Sequence, residues 1–215
     1  QKLHVVHEHY DITGIPSSID VVMVLKVIGL AILCAILSSL FCIFMTIVHK
    51  LFRKYFKNQY LRVFAGGLML VLLNIVLKTT DYNGTGMNII AKALNGNAQP
   101  AAFLLKALFT AITIGCGFRG GEIVPSFFVG ATFGCVAGGL MGMDPGFAAA
   151  LGMVCFFCGV VNCPLTSLFL SIELFGANGI MFFTIGCAVS YMLSGYYSLY
   201  NEQKIIYSKL RPHYV

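Results

Sequence analysis

Long apolar stretches, each closed by a charge or by a break rich in glycine, asparagine or proline, set the pattern of this chain. Val27 to Val48 holds no Asp, Glu, Lys, Arg or His, and neither do Ile123 to Met143, Pro145 to Ile172 and Leu174 to Asn201. A helix needs about 20 mainly apolar residues to cross a bilayer, and these runs reach that length. The alternation of apolar and polar positions that a membrane β-barrel requires is absent, so the spans are expected to be helical.

The first predicted helix runs from Ser17 or Ser18 to about Lys54, capped by one of those serines and with Asp20 in its first turn. At about 1.5 Å per residue it reaches roughly 50 Å, beyond a hydrocarbon core of about 30 Å, so it should tilt or protrude. A second span covers about Tyr60 to Leu77, followed by a turn-rich loop from Lys78 to Gly86. Met87 to Leu94 and Pro100 to about Cys116 are too short for ordinary spans. The pattern breaks at Gly115 to Gly121 and resumes as a helix from Val124-Pro125 to about Leu140. Three further helices follow: from Asp144-Pro145-Gly146 to about Val161, from the Asn162-Cys163-Pro164 break to Phe175, and from Ile180 to Leu193. Tyr196 to Lys209 reads as a more polar terminal helix or extension. The domain reading is a polar lead-in over 1–17, a transmembrane helical half-fold over 18–195 and a cytoplasmic terminal helix and tail over 196–215. Short, interrupted helices at membrane depth are specific, because irregular backbone is tolerated there only where protein buries it or a polar cavity solvates it. Gly130, Gly134 and Gly138, and likewise Gly186, Ser190 and Ser194, form small-residue ladders suited to close helix packing.

Composition agrees with a membrane protein: 58% of residues are hydrophobic and 10% charged, against about 25% charged in soluble domains. The net charge of +6 gathers after the first span, at His49, Lys50, Arg53, Lys54 and Lys57, and near the end at Lys204, Lys209 and Arg211. Both groups abut membrane segments, which points to cytoplasmic ends rather than to nucleic acid. The eight cysteines fall almost wholly in apolar spans, so Cys155 and Cys158 read as small buried hydrophobes rather than as a redox or zinc pair. Asp20, Asp81 and Asp144 are scattered in loops, and His4, His7 and His9 form the one histidine cluster, in the polar lead-in; neither pattern suggests an enzyme or a metal site. No cofactor is expected. Position 1 is Gln, which suggests a fragment or a trimmed chain, and no secretory signal pattern follows it.

The chemistry concentrates at Gly117, Gly120, Gly121, Glu122, Ile123, Val124 and Pro125. A proline in the first turn of a helix removes an N–H that has no partner there. The remaining first N–H groups stay free, and the helix dipole places partial positive charge beside them. An anion can be held there without a full positive charge, which permits release as well as binding. The competing reading is a glycine kink between two packed helices.

The stretch Gly120 to Gly134, with Pro125 inside it, resembles the glycine-rich anion motif of the CLC family of chloride channels and proton-coupled chloride transporters. Pro164-Leu165-Thr166-Ser167 with Glu173 downstream, and Ser198-Leu199-Tyr200, are similar to two later segments of that family, in the same order. The resemblance implies an all-α membrane protein of multiple tilted and broken transmembrane helices, the second half of the CLC inverted-repeat fold. It implies a chloride channel, voltage-gated in type, or a proton/chloride antiporter. Backbone N–H groups of Glu122, Ile123 and Val124 would bind the anion and the Tyr200 hydroxyl would contact it. The intact protein would be a homodimer in the lipid bilayer, with chloride or another halide as cargo and a pore in each subunit.

Several charged positions stand out beside that motif. Glu122 is expected to pair with Arg119 and point away from the pore, or else to take part in proton or anion gating. Glu173, deep in an apolar run, is expected either as a functional group or as a buried, paired, helix-stabilising one; Lys106 is expected to pair within the protein or to reach an interface; and Arg119 joins them as a candidate buried ionisable group. The family's first-repeat serine and gating glutamate have no counterpart in this sequence, so the amino-terminal half is expected from the same protein or from another chain. A fluoride-selective exporter of the same family, which the Gly-Gly-Glu opening suggests, and a non-transporting half-fold are the alternatives.

Overall fold

The computed structural model describes residues 10, 12, 14–16, 20–200 and 209. The residues described form eight helices and no strand. These are α1 (Val21–Tyr55), α2 (Gln59–Leu77), α3 (Met87–Leu94), α4 (Ala102–Gly115), α5 (Ile123–Leu140), α6 (Pro145–Val161), α7 (Pro164–Phe175) and α8 (Ile180–Leu193). Three of them, α1, α2 and α5, are long and apolar enough to cross a membrane, and α4, α6, α7 and α8 are shorter apolar helices.

Local signals fix most of the boundaries. The Asp144 carboxylate accepts from the Phe147 N–H at 2.9 Å and Pro145 opens α6, so that helix starts where its cap and proline direct. Asn162 takes a left-handed conformation at φ 58° and ends α6, and Pro164 opens α7 two residues later. The start of α1 differs from expectation. Asp20 is the N-cap rather than a first-turn residue, and its side chain makes no capping bond. Ser17 and Ser18 lie outside the described residues, as do His4, His7, His9 and most of the predicted terminal helix. Helix α4 begins at Ala102 rather than Pro100, because the Ala102 N–H closes a turn onto the Gln99 carbonyl.

Helix α6 is the centre of the fold. Every residue from Gly146 to Val161 is buried, as a helix apolar all round must be, and α1, α3, α5, α7 and α8 pack around it. Within lipid, burial of apolar area gives little drive, so close packing and hydrogen bonds between helices hold the bundle. The glycine ladder of α5 lies against α6. A Cβ on Gly130 would come within 2.8 Å of the Gly152 carbonyl oxygen and the Met153 Cα, and one on Gly134 would strike the Ala148 carbonyl. The Gly186 ladder of α8 meets a neighbouring face of α6, where Ser190 donates to the Cys155 carbonyl at 2.7 Å. Part of the lead-in is tied down as well: the Tyr10 N–H donates to the Leu174 carbonyl at 2.9 Å, and Tyr10, Ile12 and Ile15 pack on the core.

Candidate functional site

Helix α4 runs into the protein and stops at a Schellman turn. Gly117, at φ 103°, donates to the Ile114 carbonyl at 3.1 Å, and Phe118 donates to the Thr113 carbonyl at 3.2 Å. A left-handed glycine just past the last turn is what this motif requires. Gly117 therefore ends a helix rather than cradling an ion with its own backbone. The Arg62 Nε of α2 donates to the Cys116 carbonyl at 3.2 Å and straps the turn from outside.

Six residues later α5 begins. Glu122 is its N-cap, and Ser126 carries the first N–H that bonds along the helix, to the Glu122 carbonyl at 3.1 Å. Among the described residues the N–H groups of Glu122, Ile123 and Val124 donate to no backbone carbonyl. Pro125 falls where an N–H would have been unsatisfied. The Ser126 hydroxyl folds back onto the Ile123 carbonyl at 2.5 Å, which leaves the N–H groups as the donors of this end.

A cavity of about 530 Å³ opens beside this helix start. Gly120, Gly121, Val124 and Pro125 line one side of it, and Lys106, Thr110 and Thr113 of α4 line another. Tyr82 to Thr85 of the α2–α3 loop cover a third. The structure thus brings together four of the expected loop and helix-start positions with Lys106. Glu122, Ile123 and Gly117 adjoin this stretch without lining the cavity, and Tyr200 is not part of its lining.

Lys106 is buried, with 2% of its surface exposed, as the sequence suggested. Its ammonium donates to the carbonyls of Tyr82 at 3.0 Å and Gly84 at 2.7 Å, and lies 5.1 Å from the centre of the Phe128 ring. Three expectations need correction. Arg119 is exposed and forms no ion pair with Glu122 among the described residues, because the turn after Gly117 carries it outward while Glu122 closes onto α5. Glu173 is exposed, not buried: α7 buries Ser167, Ser171 and Phe175 along one stripe, and Glu173 stands off that stripe.

Tyr200 is exposed, at 44% of its surface, on a segment held by the end of α6. The Leu199 N–H donates to the Val160 carbonyl at 3.2 Å, and the Asn162 side-chain amide donates to the Tyr197 carbonyl at 2.7 Å. Lys209 reaches the same corner, bonding the Asn162 side chain, the Tyr191 carbonyl at 2.8 Å and the Ser194 hydroxyl at 3.1 Å.

Arg62 and the Tyr82–Thr85 loop are the features that sequence reasoning passed over. Arg62 carried a signal, as the one charge inside the second predicted span. The loop carried none beyond its turn composition.

The pattern of the family described as "Voltage gated chloride channel" matches residues 2–195. The chain belongs to this family. It is 32% identical over 218 residues to a "Chloride/fluoride channel protein" of Pseudomonas syringae pv. tomato, covering 97% of this chain and 47% of that protein. It is 26% identical over 155 residues to an "H(+)/Cl(-) exchange transporter" of Vibrio cholerae, covering 66% of this chain and 33% of that one. Its fold matches the crystal structure of a CLC-type fluoride/proton antiporter with a TM-score of 0.88 and 30% identity, over 94% of this chain and 51% of that one. This chloride-channel-family chain thus spans about half the length of the Pseudomonas syringae relative and of the antiporter. Among its described residues no three His, Cys, Asp or Glu side chains gather as a metal site, and Cys155 and Cys158 are buried free thiols.

Proposed function

We propose that this chain supplies the carboxy-terminal half of a transmembrane anion pathway, with the anion held at the start of α5. The observation that carries the reading is a helix whose first N–H groups are free at the rim of a cavity. Such a helix end offers donors and partial positive charge at once, and a halide needs nothing more to be bound reversibly. In this reading the N–H groups of Glu122, Ile123 and Val124 are the ligands and the Tyr200 hydroxyl completes the shell from the α6 side. The remainder of the protein supplies the facing half, the intact protein is a homodimer, and the carboxy terminus is cytoplasmic.

Fluoride is the proposed cargo. Two matches that span nearly all of this chain are a protein named for chloride and fluoride and a fluoride/proton antiporter. Chloride is the second reading, favoured by the shorter matches to H(+)/Cl(-) exchange transporters. Glu122, which has no ion pair with Arg119, is then free to serve as a proton-carrying group in an exchange cycle. Full-length protein in liposomes tests these readings with ion-selective electrodes. Fluoride efflux far above chloride efflux, and driven by a proton gradient, supports the first. Equal or greater chloride efflux establishes the second, and no efflux of either halide leaves a non-transporting half-fold.

A further inference from the structure

The cavity beside α5 holds an unusual balance of charge. Lys106 is 98% withdrawn from solvent, yet its ammonium meets two backbone carbonyls and no carboxylate. The acidic residue nearest in the covering loop, Asp81, is exposed and forms no ion pair with it among the described residues. A buried charge left without a counter-charge is strongly destabilising in a low-dielectric setting. Two carbonyl dipoles and the Phe128 ring offset that cost in part and leave one of the three ammonium protons without a hydrogen-bond acceptor among the described residues. The threonines on the same wall do not compete for an anion, since Thr110 and Thr113 donate to the carbonyls of Lys106 and Phe109 at 2.8 and 2.7 Å. The same space is bordered by the positive end of α5, at Gly120, Gly121 and Val124. A cavity of about 530 Å³ has room for a hydrated halide.

We propose that this cavity is an anion-loading chamber, in which Lys106 gathers the halide before it passes to the N–H groups of α5. The inference rests on the anion-transport reading above. Lys106 acts here as a fixed charge that raises the local halide concentration, a positioning role distinct from that of the helix-end ligands. A cleft of one sign of charge raises encounter with a counter-ion, and that gain fades with ionic strength. The two carbonyl bonds have a second consequence: the same ammonium that attracts the ion fastens the loop that covers it.

The test is halide efflux from liposomes holding the full-length protein, measured over a range of halide concentration at fixed and varied ionic strength. Lys106→Met should raise the half-saturating halide concentration by about tenfold or more while the maximal rate is retained. It should also flatten the dependence of half-saturation on ionic strength, and Lys106→Arg should restore both. Thr85 is an exposed residue of the same lining and does not bond Lys106, so its variants report even if Lys106→Met fails to fold. Thr85→Glu should raise half-saturation and Thr85→Lys lower it. A fall in maximal rate with unchanged half-saturation in Lys106→Met, or no change in half-saturation in either Thr85 variant, overturns the chamber while leaving transport in place. Absence of efflux from the wild-type protein overturns the transport reading and the chamber together.

Discussion

Gly152 of α6 faces Gly134 of α5 so closely that a Cβ on Gly152 would lie 2.5 Å from the Gly134 Cα. No rotamer relieves such a contact, because both partners are backbone. Gly152→Ala must therefore push α5 off α6, at a cost of about 1–3 kcal/mol. The displacement carries the start of α5 with it, so anion affinity should fall along with stability. Thermal unfolding of the full-length protein in detergent, paired with halide efflux, checks both. A variant as stable and as active as wild type would mean that the two helices have slack that their glycines do not suggest.

Ser190 makes a corresponding contact between α8 and α6. Its hydroxyl donates to the Cys155 carbonyl at 2.7 Å. Interhelical hydrogen bonds of this kind in membranes contribute about 0.6 kcal/mol on average. Ser190→Ala should thus lower stability slightly and leave transport intact. Ser190→Val adds bulk to a fully buried site and should cost about 1–3 kcal/mol. The difference between the two variants in unfolding midpoint is the quantity to measure.

Two arginines near the helix break should behave differently. Arg119 is exposed and without an ion pair to Glu122, so Arg119→Gln should change stability by no more than about 0.5 kcal/mol. Arg62 holds the Cys116 carbonyl at the turn that ends α4, and Arg62→Gln should cost about 1.5–3 kcal/mol by removing a charged hydrogen bond. Unfolding of both variants side by side decides the matter, and equal losses would restore a structural role to Arg119.

The tyrosines near the end of the chain allow a sharper comparison. Tyr200→Phe removes the hydroxyl proposed to contact the anion and should weaken halide binding in the full-length protein, measured calorimetrically. Tyr196→Phe should leave binding unchanged. The reverse result would move the ligand to Tyr196.

Helix α5 and the free N–H groups at its start were legible in the sequence because one short stretch fixes them. Gly117 ends a helix, Pro125 begins another, and an apolar run follows. The orders of α6, α7 and α8 were legible for the same reason, through Asp144-Pro145 and Asn162-Cys163-Pro164. What could not be read was which way each charge points. Glu173 sits amid apolar residues in sequence, yet the stripe of Ser167, Ser171 and Phe175 takes the interior and leaves it outside. Arg119 and Glu122 are three apart, a spacing that pairs charges only within a continuous helix, and the helix does not begin until Ile123. The reach of Lys106 to Tyr82 and Gly84 joins residues more than 20 positions apart, and no local pattern encodes it.

Gly120 and Gly121 differ from the other glycines. A Cβ added to either meets nothing within 4 Å, and neither takes a positive φ. Neither this chain's packing nor its backbone requires their bareness. In the proposed function, the open side that they leave is where the ion or the remainder of the protein would approach. Alanine at these positions should therefore be silent in the isolated half and harmful in the whole, which makes the pair a built-in gauge of whether the two halves have come together.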